Sequence, residues 1–118
     1  MKILLLDHDY QVSEAISAEL KANKFEVSTT TSNNFFTDCA TLNPDLIMID
    51  HQPGSTYSGL KLCKLIKTKT ETWHIPVILI SEVANIHELS EGCEADAYVL
   101  KPLDLEDLSN TVKDILSL

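Results

Sequence analysis

Four apolar runs in this sequence each end in a side chain able to do chemistry. Asp7, His8 and Asp9 follow the run from Ile3 to Leu6, and Asp50 follows Leu46-Ile47-Met48-Ile49. Ser81 and Glu82 follow Val77 to Ile80, and Lys101, just ahead of Pro102, follows a run that closes at Leu100. Carboxylates, a hydroxyl and an ammonium gathered in one crevice suit a phosphoryl group. An aspartate can be the nucleophile that forms an acyl phosphate, and neighbouring carboxylates can hold a divalent ion that neutralises the incoming oxygens. A lysine can pair with another phosphate oxygen, and a serine can donate a hydrogen bond to one. Singly, each residue has a plainer account: Asp50 and Ser81 as strand ends or caps, Lys101-Pro102 as a solvated turn. Four such tips in one chain argue for a shared site.

The elements that must position these tips follow from periodicity. Leu46 to Ile49 does not alternate with polar residues, so both faces of that strand are expected to be buried, as in a parallel sheet covered by helices. Lys2 to Leu6 and Val77 to Ile80 read the same way, with Pro76 acceptable at the opening of a strand. Phe25 to Thr30 is more polar and rich in β-branched residues, which suits a strand at a sheet edge. Ala95 to Leu100 makes a fifth strand. Between them, Val12, Ala15, Ile16 and Leu20 form one stripe of a helix over Tyr10 to Ala22. Asn33 or Asn34 is placed to cap a short helix with Phe36, Cys39 and Ala40 on one face, and Ser58 to cap one lined by Leu62, Leu65 and Ile66. A weakly periodic helix around Ile86 to Glu91 is ended by Gly92. In the last helix Asp104 is the N-cap, Leu103 and Leu108 form a hydrophobic staple, and Leu105, Leu108, Val112, Ile115 and Leu116 are buried. Strands alternating with helices predict an α/β fold, an all-parallel sheet with right-handed crossovers and helices on both faces. The reactive tips then converge where open α/β sheets place their ligands, outside the carboxyl ends of the strands.

Size and charge bound the rest. At 118 residues the chain reads as one domain over 1–118. A net charge of −9 argues against nucleic acid or an anionic membrane as direct partner and favours divalent cations or basic protein surfaces. The apolar run after Lys2 is too short for a signal peptide or a membrane span, so a cytoplasmic location is expected. Cys39, Cys63 and Cys93 are odd in number and widely spaced, which predicts reduced core thiols rather than a disulfide or zinc site.

Asp7, Pro44-Asp45-Leu46, Asp50, Pro53, Gly59, Ser81, Tyr98 and Lys101-Pro102, in this order, resemble the receiver domain of bacterial two-component response regulators over essentially the whole chain. The resemblance implies a flavodoxin-like (βα)5 sandwich with strand order 2-1-3-4-5. It implies that Asp50 is the phosphoacceptor of a partner histidine kinase or phosphotransfer protein. Asp7 then matches the first residue of the acidic Mg²⁺-binding pair, Ser81 the switch hydroxyl, Tyr98 the switch aromatic and Lys101 the phosphate-pairing lysine. A cis Lys101-Pro102 bond is expected, and chemistry of the chain's own is limited to self-phosphorylation and autodephosphorylation at Asp50. Output is expected through protein contacts on the face made by helix 4, strand 5 and helix 5.

The sequence also departs from that pattern. His8 stands where the family has its metal-binding carboxylate, and imidazole is a poor ligand for Mg²⁺. Three accounts are open: Asp7, Asp9 or Glu82 supplies the missing oxygen and Mg²⁺ binds less tightly; His8 joins Asp7 and Asp50 around Mn²⁺ or Zn²⁺; or a protonated His8 replaces the metal. Glu82 follows the switch hydroxyl where a small residue is usual, and Gly59 is one position late. Two other functions compete: a pseudo-receiver scaffold that binds partners without phosphorylation, and a phosphatase resembling the haloacid dehalogenase superfamily with Asp7 as nucleophile. The second leaves Asp50 without a role and has Gln11 where that family has Thr or Val.

Overall fold

The computed structural model describes residues 1–7, 10–51, 58–82 and 86–118. Strands and helices alternate as β1 (Lys2–Leu6), α1 (Tyr10–Ala22), β2 (Glu26–Thr30), α2 (Phe35–Leu42), β3 (Leu46–Asp50), α3 (Gly59–Thr68), β4 (Val77–Ser81), α4 (Ile86–Gly92), β5 (Ala97–Leu100) and α5 (Leu105–Ile115). The strands form one parallel sheet in the order β2-β1-β3-β4-β5. β3 and β4 are buried along their whole length, while β2 and β5, at the edges, are not.

Side chains alternate across a strand, so each central strand feeds two cores. Leu4, Leu6, Ile47, Ile49, Val77 and Leu79 face Phe35 and Cys39 of α2, Leu62, Cys63 and Ile66 of α3, and Ile86 of α4. Ile3, Leu5, Leu46, Met48, Ile78 and Ile80 face Ile16 and Leu20 of α1 and Leu108 and Val112 of α5. The continuous apolar runs are therefore the sequence signature of a sheet with helices on both faces.

Local details differ from expectation at several points. β5 starts at Ala97, because the Asp96 carboxylate is taken up at the foot of β4, where it accepts from the Val77 N–H at 2.8 Å and from Lys67 Nζ at 2.8 Å. In α2 the core residue is Phe35 rather than Phe36, and Ala40 is exposed. Asn34 occupies the N-cap of α2 without a side-chain cap bond. The left-handed residue after α4 is Glu94, at φ 64°, not Gly92. The Asp104 cap is as expected, its Oδ1 accepting from the Glu106 and Asp107 N–H groups at 3.0 and 3.2 Å.

Candidate functional site

The register fixes which tips meet. Leu6 pairs with Ile49, so Asp7 and Asp50 leave neighbouring strands side by side, and Ser81 pairs with Leu100, so Lys101 leaves β5 one step beyond the hydroxyl. The backbone carries the same ladder past the strand ends: the His51 N–H donates to the Ile80 carbonyl at 2.8 Å, and the Lys101 N–H to the Ser81 carbonyl at 2.9 Å. The Lys101-Pro102 peptide is cis.

At the centre stands Asp50, 2 % exposed. Lys101 Nζ lies 3.2 Å from its Oδ2 and 3.1 Å from its Oδ1. A buried carboxylate costs several kcal/mol to desolvate unless a cation accompanies it, and here the ammonium spans both oxygens. Beyond the ion pair with Lys101, Oδ1 accepts no hydrogen bond among the described residues and is sealed from solvent, which leaves it with capacity for a second cation. Ser81 is fully buried beside this pair, Asp7 is half-buried at the tip of β1, and Glu82 is exposed. His8 and Asp9 fall outside the described residues, as does Pro53. Tyr98 does not point into the site: it is 37 % exposed on the outer edge, its ring 5.5 Å from that of His87 on α4. Among the described residues no cluster of three or more His, Cys, Asp or Glu side chains is set to hold a metal. The two carboxylates at the tips, Asp7 and Asp50, nevertheless match the way Mg²⁺ is usually held, by one or two carboxylates with waters and phosphate oxygens completing an octahedron.

Two neighbours take on a part in the site through contacts that the sequence does not disclose. His51, the residue directly after β3, is 7 % exposed, and burial lowers its pKa against the opposing pull of the Asp50 carboxylate. A neutral imidazole therefore backs Asp50. Gly59, the first residue of α3, packs so closely that a Cβ would sit 2.9 Å from the His51 Cα and 2.9 Å from Ile49 Cγ2. This glycine lets α3 seat against the strand end that carries Asp50, a reason that only the tertiary contact discloses.

A family model described as the response regulator receiver domain matches residues 3–113. The chain belongs to this receiver family. It is 28 % identical to the DNA-binding dual master transcriptional regulator RpaA of Synechocystis over 98 % of its own length and 48 % of the relative's. It is 30 % identical to the phosphate regulon transcriptional regulatory protein PhoB of Rhizobium meliloti, over 98 % of its own length and 52 % of the relative's. This receiver thus spans about half the length of the curated relatives it matches. Among solved structures it superposes on the signal receiver domain of a Syntrophus aciditrophicus histidine kinase with a TM-score of 0.84 at 26 % identity, covering 98 % of this chain and 89 % of that one. The BeF3-activated receiver domain of Klebsiella pneumoniae RstA gives a TM-score of 0.84 at 25 % identity, over 96 % of both chains. The fold is that of the flavodoxin-like receivers, a signalling domain, and the phosphatase alternative with Asp7 as nucleophile finds no support in these relatives. Among the described residues no helix is long and apolar enough to cross a membrane.

Proposed function

We propose that the chain acts as a receiver unit over 1–118, that Asp50 is its phosphoacceptor, and that a histidine kinase or phosphotransfer protein is the donor. The observation that carries this reading is the Lys101 ammonium at 3.1 and 3.2 Å from the two oxygens of a buried Asp50 carboxylate. In the transfer, an Asp50 oxygen attacks phosphorus, the P–N bond to the donor imidazole breaks, and the imidazole leaves with a proton. Lys101 exchanges one carboxylate oxygen for a phosphoryl oxygen, and the Ser81 hydroxyl donates to another. Asp7 and Asp50 would hold Mg²⁺, with His8, Asp9 and Glu82 as further candidates; when bound, the ion supplies charge neutralisation for the phosphoryl oxygens.

Asp50 is buried and faces no partner directly, so a signal has to travel. We assign that part to Ser81 and Tyr98: Ser81 is recruited to the phosphoryl group, and Tyr98 leaves its exposed position for the space vacated on the α4 side. The α4–β5–α5 surface, where Tyr98 and Leu100 are exposed, then changes its affinity for a downstream protein in the cytoplasm. Neither nucleic acid nor membrane is a direct partner of this surface, which carries Asp104, Asp107 and Asp114.

Intact-mass analysis after acetyl phosphate and Mg²⁺ tests the reading. One phosphoryl adduct is expected on the wild type and none on Asp50→Asn. An adduct that survives in Asp50→Asn would overturn the assignment, and a wild type that never gains one would leave the scaffold function in its place. His8→Asp is expected to lower the Mg²⁺ concentration needed.

A further inference from the structure

The cysteines Cys39, Cys63 and Cys93 are buried and unlinked, yet two of them meet. Cys63 lies in the middle of α3 and Cys93 directly after α4. The Cys63 thiol donates to the Cys93 backbone carbonyl, its Sγ 3.5 Å from that oxygen, which brings the two residues into direct contact. Cys93 Sγ in turn lies 3.5 Å from the Ser90 carbonyl oxygen. Of the two, Cys93 is the one that a cavity reaches. A cavity of about 60 Å³ opens onto Cys93 between Lys64, Lys67, Thr68, Gly92 and Glu94. A space of this size admits a water-sized oxidant. On its Gly92 side nothing stands within 4 Å of where a side chain would project.

We propose that Cys93 and Cys63 form a hydroperoxide-sensitive dithiol, in which Cys93 is oxidised first and Cys63 resolves it into an intramolecular disulfide. The Cys93 thiolate attacks the distal oxygen of hydrogen peroxide, the O–O bond breaks, and hydroxide leaves to be protonated to water. Cys93 is now a sulfenic acid. The Cys63 sulfur attacks the Cys93 sulfur, the S–O bond breaks, and the Cys63 proton leaves with the hydroxyl as a second water. The peroxide is reduced by two electrons and the thiol pair oxidised by two. Position divides the labour: Cys93 lines the cavity, whereas Cys63 is fully buried behind it with its proton held on the Cys93 carbonyl. The pKa values run the same way, the proximity of the two thiols lowering that of Cys93 and, with burial, raising that of Cys63. Cys39 is the internal control: burial, then the neighbouring Asp38 carboxylate, pushes its thiol up to about 11. This dithiol is independent of the phosphoacceptor reading and would stand without it.

The test treats the full chain with near-equimolar hydrogen peroxide, alkylates at intervals, and maps peptides without reduction. Expected is a Cys63–Cys93 cross-link within one chain, an intact mass lower by two hydrogens, and an unmodified Cys39. Cys93 should be consumed roughly tenfold or more faster than Cys39. In Cys63→Ala the reaction should stop at a Cys93 sulfenic acid that a cyclic 1,3-dione traps. Oxidation of Cys39 at the same rate, a cross-link between chains, or over-oxidised Cys93 without a cross-link in the wild type would each overturn the proposal. The wild-type map decides even where Cys63→Ala does not fold.

Discussion

Among single residues, Lys101 makes the most sharply defined contact in the candidate site. Its ammonium is shared between both oxygens of a carboxylate that is 2 % exposed. Lys101→Met keeps the stem and removes the charge. Loss of one oriented charge at a site where negative charge develops typically costs on the order of a hundredfold in rate. We expect the rate of adduct formation with acetyl phosphate, followed by intact mass, to drop by about that factor; an unchanged rate would remove Lys101 from the chemistry. Gly59 supplies a second prediction of a different kind. A methyl group there meets the His51 backbone at 2.9 Å, and backbone cannot rotate aside. Overpacking of this sort costs about 1–3 kcal/mol, so Gly59→Ala should lower the denaturation midpoint measured by circular dichroism. It should also shift the amide signals of His51 and Asp50. A neutral substitution would show that α3 slides without consequence.

Strands were the most legible elements. Four-residue apolar runs without alternation can be satisfied only between two helical layers, so β1, β3 and β4 and the parallel sheet followed from pattern alone. The polar, β-branched β2 was readable as an edge for the same reason in reverse, and α5 was readable from its cap, staple and stripe together. Less was visible where tertiary contacts outweigh local pattern. The choice between Phe35 and Phe36 as the core residue of α2 turns on the phase of a short helix whose cap the sequence leaves between Asn33 and Asn34, the structure having Asn34. β5 begins two residues later than its composition suggests because the Asp96 side chain occupies the bottom of the sheet. At the site, Asp50, Ser81 and Lys101 were identifiable because each terminates an apolar run. His51 was not, since a polar residue after a strand ordinarily faces water and here it is buried. The contact between Cys63 and Cys93, 30 residues apart, has no local signal at all.

For the whole molecule, acid–base chemistry of the thiols sets a limit at alkaline pH. The folded Cys39 thiol titrates near 11, against 9.0 for a free one. Between those values the unfolded chain loses a proton that the folded chain keeps. The contribution of Cys39 is therefore constant below pH 9 and declines as pH rises from 9 to 11. Cys63, also shifted upward, acts in the same direction. Melting temperature measured across that window should fall more steeply for the wild type than for Cys39→Ala; equal slopes would mean that burial of this thiol is not what resists ionisation.

The polar knot at the foot of the sheet has a consequence at its head. The Asp96 carboxylate ties the first amide of β4 and the Lys67 ammonium together at 2.8 Å each. Five residues later along the same chain comes Lys101, about 16 Å away at the rise of an extended strand. Asp96 works as the zero mark of a ruler: it sets the stagger of an edge strand whose few residues would otherwise tolerate a shift, and a shift of one would swing the lysine to the opposite face. Asp96→Ala, remote from any phosphorus, should consequently slow phosphoryl uptake and weaken the Lys101 to Asp50 contact seen by NMR, whereas Asp114→Ala, an equally acidic but unanchored position, should do neither.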